Sequence, residues 1–547
     1  VTPEELSLAI RSVLEKLVSQ GTIAVELPEE IRVERPKSRE HGDWATNIAL
    51  QLGKKAGMNP RAFAELVQGE LTNVAGVDSV EIAGPGFLNI RLAAGAAGEL
   101  AKTILEAGDA YGTGETLKGQ RINLEFVSAN PTGPIHLGGT RWAAVGDSLA
   151  RMLSAQGADV TREYYFNDHG NQIDRFARSL LASAKGEPAP EDGYGGQYIH
   201  DIAAAVTEQM PNILEAEDPQ EEFRARGVEL MFGEIRKSLH EFGVDFDVYF
   251  HENSLFEEGA VEKALEELKG SEKLYFNDGA WWLRSTEFGD DKDRVVIKSD
   301  GNAAYIGGDI AYARNKFERG FTTSIYMLGA DHHGYVARLK AAAAALGYNP
   351  DGIEVLIGQM VNLVKDGTPV RMSKRAGNVV TLEDLVEIVG VDAARYSLSR
   401  YSTDSNIDID LDLLQQQTNE NPVFYVQYAH ARSRQAARNA EAAGVKREEL
   451  DATQLNTEHD NDLLAALAQY PAVVAAAADF REPHRVARYL ESLAGTYHRW
   501  YGNSRIAPLA GEEITSQNEA RLWLNDATAQ VLKSGLFLLG VSAPERM

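Results

Sequence analysis

The chain of 547 residues is longer than one domain usually runs, and 44% hydrophobic with 25% charged residues is the balance of a globular protein with ample core. Zero cysteines exclude disulfides and thiolate metal sites, and no apolar run approaches the ~20 residues a membrane-spanning helix needs. The formal net charge of -27 disfavours a polyanionic partner unless the basic residues gather on one face.

In chain order, Thr2-Pro3-Glu4-Glu5 reads as a helix start and not as a signal peptide. Thr2 is the N-cap, Pro3 takes the first turn, and Glu5 closes a capping box. Leu6, Ile10, Val13, Leu14 and Leu17 then share one helical face. Short strands are expected around 31–34 and 79–92, the second interrupted by the turn Gly84-Pro85-Gly86. Between them the sequence predicts two helices broken at Asn59-Pro60, so residues 1–110 form an α+β unit. The polar, glycine-rich "AYGTGETLKGQ" links this unit to the next.

From 121 onward strands alternate with helices, which predicts a parallel sheet. The expected strands are 122–127, 160–166, 323–328 and 354–363, with helices after the first and third. An insertion spans about 171–290, and the hairpin-like "AWWLRS" brings the chain back to the sheet. Beyond 391 strand signals stop and helical periodicity takes over, predicting an all-α bundle. The domains expected are therefore 1–110, 111–391 and 392–547.

The stretch "LEFVSANPTGPIHLGG" runs from a core strand into the start of a helix. Free backbone N–H groups and the positive end of the helix dipole make such a loop a phosphate site. Gly138 and Gly139 admit a ligand close to the backbone, His136 can donate to phosphate oxygens, and Pro131 and Pro134 stiffen the approach. Open α/β sheets bind ligands at this edge.

These residues carry a resemblance. "IHLGGTR" resembles the His-x-Gly-His signature of class I aminoacyl-tRNA synthetases, and "RMSKRAGN" at 371–378 resembles their KMSKS signature. With "NDHGNQI", "GADHHGYVARLKAAAAALG", "NPVFYVQYAHAR" and "LLGVSAPERM", the chain from about 41 to its end is similar to the arginyl-tRNA synthetases. The match departs in three places: Gly139 stands where the second signature histidine is expected, and Arg371 and Arg375 replace the first Lys and last Ser of KMSKS. The resemblance implies an α/β protein with a Rossmann-like parallel-sheet catalytic domain carrying an insertion. An N-terminal α+β domain and a C-terminal all-α helical bundle would flank it.

The implied reaction joins L-arginine to tRNA(Arg) through an arginyl-adenylate, consuming ATP with Mg²⁺ on its phosphates. The attacking carboxylate is already ionised, so positioning and phosphate neutralisation supply most of the catalysis. By resemblance, His136 and Lys374 are catalytic, and Gly138, Gly139, Met372 and Ser373 join them in binding ATP. A guanidinium presents a planar fork of donors and calls for carboxylates. Glu125, Asn130, Tyr305 and Asp309 are expected to line the arginine pocket, with Glu252 a further guanidinium partner and Asp331 or His332 at the α-amino end.

For tRNA, the resemblance implies Phe87 and Asn89 in the N-terminal domain and Tyr425, Arg432, Tyr501 and Met547 in an anticodon-binding bundle. Local positive charge would come from Arg32, Arg35, Lys37, Arg39 and from Arg432, Arg434, Arg438. No protein-held metal is expected from "NDHGN" or "GADHHGY", since adjacent residues project differently and no cysteine assists. The expected protein is a cytoplasmic monomer without a membrane partner. Its rivals are a catalytically weakened tRNA-binding paralogue, suggested by Gly139, a class I synthetase for another amino acid, and a generic nucleotidyltransferase.

Overall fold

The computed structural model describes residues 1–370 and 379–547. Its first helix, Pro3–Ser19, has the expected capping box: Thr2 and Glu5 exchange side-chain to backbone hydrogen bonds. Leu6, Ile10, Val13, Leu14 and Leu17 are buried along one face. Helices Ile48–Leu52 and Pro60–Leu71 flank the Asn59-Pro60 break, and the Asn59 side chain caps the second. Strands Val77–Ala83 and Phe87–Leu92 form a hairpin around the Gly84–Gly86 turn, and Trp44–Thr46 pairs with the latter. The strand expected at 31–34 shrinks to a single bridge, Glu34 to Ala45, because Trp44–Thr46 is only three residues long.

Among the described residues the central sheet has five parallel strands, ordered Ile353–Gly358, Thr323–Gly329, Arg121–Glu125, Asp159–Phe166, Val248–His251. The middle strand is buried from Ile122 to Glu125, as a parallel strand covered on both faces must be. Three details correct the sequence reading. Val248–His251 lies inside the segment 171–290 read as an insertion, yet it pairs with Asp159–Phe166 as an edge strand. Four residues in an acidic surrounding gave no periodicity to detect.

The strand expected at 354–363 is two: Ile353–Gly358 stays in the sheet, and Val361–Lys365 joins a small sheet with Thr368–Val370 and Ile407–Asp410. The break comes at Gly358, where a Cβ would stand 2.5 Å from the Trp142 ring. Ile407–Asp410 itself falls beyond 391, where strands were expected to stop. Its Ile-Asp-Ile-Asp alternation buries Ile407 and Ile409 against that sheet.

Within 171–290, helices Asn171–Ala184, Gln197–Gln209 and Pro219–Glu241 pack on one another. The hairpin expected from "AWWLRS" forms from Leu274–Asn277 and Ala280–Leu283, with Arg294–Ile297 alongside. The C-terminal helices, among them Pro422–Ala442, His484–Asn503 and Ser516–Leu538, make the bundle. Among the described residues no helix is long and apolar enough to cross a membrane.

Candidate active site

The middle strand ends at Glu125, and the chain then turns through Val127 and Ser128 at φ 66° and 48°. That left-handed backbone is costly for a β-branched valine and persists only where the surroundings impose it. They do. Tyr164 donates from its hydroxyl to the Ala129 carbonyl at 2.6 Å, and the Tyr165 N–H donates to Ser128 Oγ at 3.0 Å. From the inserted helices, the Tyr198 hydroxyl donates to the Thr132 carbonyl at 2.8 Å. The loop is thus braced before any ligand arrives.

His136 is the N-cap of helix Leu137–Ala155, and its side chain makes no capping hydrogen bond. The N–H groups of the first turn are therefore left for a ligand. His136 is exposed, yet partial desolvation of its ring lowers its pKa. It is neutral at physiological pH and carries one N–H to donate. Gly139 is buried, and a Cβ there would stand 2.9 Å from Ile135 Cγ2. A side chain at the second signature position would displace the loop. The backbone of His136 is bridged to Thr381, and Leu382 N donates to the Ile135 carbonyl at 2.8 Å. Met372, Ser373 and Lys374, with Arg371 and Arg375, lie outside the described residues.

Behind the loop, Glu125, Glu252 and Asp309 converge. Burial first, and then the charges of Glu252 and Glu125, push Asp309 up to about 7. The Tyr335 hydroxyl bonded to it and nearby Arg338 oppose that rise. Burial also raises Glu252 and Glu125, opposed respectively by the Tyr165 hydroxyl and by Lys316. With its amide nitrogen turned toward Glu252, Asn167 donates to Oε2 at 2.5 Å and to the His169 carbonyl at 2.8 Å. Glu163, one strand over, is held below its usual range despite burial by a bidentate Arg319 at 2.6 and 2.9 Å. Crowded acids lined by tyrosines describe a pocket for a cation.

The structure does not gather every expected residue there. Tyr305, the first residue of helix Tyr305–Glu318, is 90% exposed. Asn130 is exposed on the loop, and Asp331 is exposed with His332 Nε2 3.5 Å away. Tyr165, Tyr312, Tyr326, Tyr335 and Lys316 were missed by the sequence reading. The only available signal was the recurrence of aromatics among acids in "EYYFND" and "DIAYARNK". Asp168 of "NDHGN" is occupied by His251 Nδ1 and the Asn253 N–H, both at 3.0 Å. Among the described residues no group of three or more His, Asp or Glu could hold a metal ion.

At the two ends of the chain, Phe87 and Asn89 both line a cavity of about 410 Å³, with Arg32, Arg35, Lys37 and His41. Phe87 is exposed; Asn89 is a largely buried strand residue. In the bundle Arg432 lies between Tyr428 and Tyr501, 4.8 and 4.6 Å from their ring centroids, and donates to the Tyr428 hydroxyl at 3.0 Å. Phe424 stacks on Tyr428, and neither was singled out from sequence. Tyr425 is half-buried against His498, whose pKa burial and Arg432 push down to about 4. Met547 is exposed.

The expected basic clusters are largely spent. Arg35 and Arg39 pair with Asp462 of the bundle, Arg32 with Glu34, and Arg434 and Arg438 with Glu545. Long side chains of both signs from distant segments meet in space, which local charge counting cannot anticipate.

Three family models match the chain: Arginyl tRNA synthetase N terminal domain over 4–92, tRNA synthetases class I (R), catalytic domain over 101–411, and DALR anticodon binding domain over 426–547. An arginine–tRNA ligase of Kineococcus radiotolerans is 65% identical over 554 residues, covering all of both chains. A solved protein of Campylobacter jejuni is 34% identical at a TM-score of 0.77, covering 83% of this chain and all of that one. The arginyl-tRNA synthetase of Thermus thermophilus has the same fold, with a TM-score of 0.77 at 21% identity over the whole of both chains.

Proposed function

The chain belongs to the arginyl-tRNA synthetases, and from that premise we propose how its residues divide the work of ligating arginine to tRNA. The activity is that of an arginine–tRNA ligase, and ATP is the co-substrate of its class. The observation that carries the pocket assignment is the convergence of Glu125, Glu252 and Asp309 in a buried space, where the first two add to the burial that raises Asp309. A guanidinium and an α-ammonium relieve that repulsion, and a neutral side chain does not. Asn130 and Tyr305 stand at the mouth in this reading, with Asp331 or His332 at the α-amino end.

ATP is assigned to the loop. His136 and the first-turn N–H groups at Gly138 and Gly139 donate to phosphate oxygens, and Met372, Ser373 and Lys374 are assigned to the same ligand by their match to the KMSKS signature. Mg²⁺ would be carried by the ATP phosphates themselves and would supply charge neutralisation there. The arginine carboxylate attacks the α-phosphorus and pyrophosphate leaves; a terminal ribose hydroxyl of the tRNA then attacks the adenylate carbonyl, forming the arginyl ester and releasing AMP. His136, being neutral, donates a hydrogen bond without transferring its proton. Gly139 is compensated by the backbone, since its Cβ position is already filled by Ile135.

For tRNA we assign residues 1–110 to the elbow, through Phe87 and Asn89, and 392–547 to the anticodon, through Tyr425, Arg432, Tyr501 and Met547. Residues 111–391 form the catalytic unit. A cytoplasmic monomer that activates arginine only with tRNA bound completes the reading. Light scattering of the purified chain tests the monomer. ATP–pyrophosphate exchange with each standard amino acid, with and without tRNA, tests the rest. Exchange with arginine alone, dependent on tRNA, is expected; exchange equally fast without tRNA removes the dependence, and no exchange removes the assignment.

A further inference from the structure

The ligation chemistry leaves one buried cation without a role. Lys316 is fully buried, and its Nζ stands 3.8 Å from Glu125 Oε1 with no hydrogen-bond partner among the described residues. The Tyr312 and Tyr326 rings enclose it, their centroids 4.4 and 3.7 Å from Nζ. An ammonium so confined is strongly desolvated and needs a counter-charge. The second acid nearby, Glu163, is committed to Arg319 and to the Tyr312 hydroxyl. Glu125 is the carboxylate that remains.

We propose that Lys316 is a positioning residue for amino-acid recognition, keeping Glu125 ionised and holding one of its oxygens so that the other is offered to the cationic substrate. The proposal rests on the assignment of Glu125 to the arginine pocket. Glu125 faces Lys316, Glu163 and Tyr312 on one side, and Tyr165, Asp309, Tyr326 and Tyr335 around the pocket. Lys316 in turn faces Glu125, Glu163 and Arg319, so two acids balance two cations beneath the substrate. Burial drives Glu125 toward its neutral form, and Lys316 is the strongest opposing influence. Without the ammonium, burial and the charge of Glu163 lose their main opponent and favour the protonated carboxyl.

The test is Lys316→Met in the full chain, read as KM for arginine in tRNA-supported pyrophosphate exchange across about pH 6.5 to 9. Dividing each variant value by the wild-type value at the same pH cancels the pH dependence of the remaining chemistry. The ratio is expected to reach about tenfold near neutral pH and to fall as pH rises and Glu125 regains its charge, with KM for ATP unchanged. A ratio of one, or a raised ratio independent of pH, assigns Lys316 to packing and overturns the proposal. Absence of arginine-dependent exchange in the wild type overturns the pocket assignment itself. Should Lys316→Met fail to fold, the double variant Lys316→Met with Glu125→Gln decides by its thermal midpoint. Recovered folding supports Glu125 as the counter-charge, since removing both charges leaves none unpaired; continued failure overturns the proposal.

Discussion

Two charged clusters lie close to helix Leu137–Ala155, and they are built on opposite plans. At the seam with the bundle, Asp147 meets Arg395 at 2.6 Å, Arg151 at 2.9 Å and Arg162 at 3.5 Å. The surplus cations find backbone oxygens: Arg395 donates to the Phe242 and Gly243 carbonyls, and Arg151 to that of Phe537. In the pocket proposed for arginine the surplus is acidic, and among the described residues Lys316 is the cation that pairs with Glu125. A cluster whose charges are spent on its own chain holds domains together. A cluster left with unanswered charge of one sign is a place for a ligand of the other.

Removing one member should therefore have opposite consequences in the two places. Arg395→Met leaves Asp147 and two carbonyls short of a buried partner, and about 3 kcal/mol of stability should be lost. A thermal midpoint unchanged in that variant would break the comparison. Asp309→Asn relieves repulsion, so the midpoint should hold or rise while KM for arginine increases by about a hundredfold.

The pH dependence follows the same carboxyl. Asp309, raised to about 7, loses its charge as pH falls below that value, so KM for arginine should rise by up to about tenfold from pH 8 to 6. The folded chain also keeps this proton where the unfolded chain has released it. Its contribution to stability of the ligand-free protein therefore declines from about pH 4 to about pH 7 and is level above. A flat KM profile through this range would show that Asp309 does not hold the substrate.

How legible this contrast was from sequence depends on the range of the interactions. Glu125 sits on a strand whose apolar run marked it, whereas Asp309 was named by the family resemblance alone and its helix Tyr305–Glu318 was not read from sequence. Tyr165, Tyr326 and Tyr335, which line the same pocket, come from strands and a helix distant in sequence, and no local pattern joins them. The capping box read from Thr2 and Glu5 and the helix break read at Asn59-Pro60 are local, and both form as expected. Val248–His251 and Ile407–Asp410 were missed because four residues carry too little periodicity, and their partners lie far along the chain. The pairing of Arg35 and Arg39 with Asp462 spans more than four hundred residues in the chain and is invisible to local charge counting.

The glycine loop sharpens the contrast, because there space rather than charge decides. Gly139→His adds a Cβ 2.9 Å from Ile135 Cγ2, a methyl on a branched carbon that cannot swing aside alone. Overpacking of this kind costs about 1–3 kcal/mol, and arginine-dependent exchange should fall by about tenfold or more. Restoring the signature histidine would thus weaken the enzyme. Faster exchange at unchanged KM for arginine would show instead that the loop opens and that the glycine is a handicap.

The smallest effect is expected where the chain meets solvent. Tyr428 supports Arg432 from one side and Tyr501 from the other, and Phe424 backs Tyr428 in a parallel stack. Arg432 is bonded to Tyr428 and His498 but makes no ion pair among the described residues, whereas Arg434 and Arg438 are tied to Glu545, so its charge is the one in this row not neutralised by a carboxylate. Tyr428→Ala removes one wall and a hydrogen bond without removing the charge. KM for tRNA should rise by a few fold, about 1 kcal/mol, with KM for arginine unchanged. An equal rise in both would mean that the ladder supports the bundle rather than the RNA, and that its charge belongs with the spent clusters.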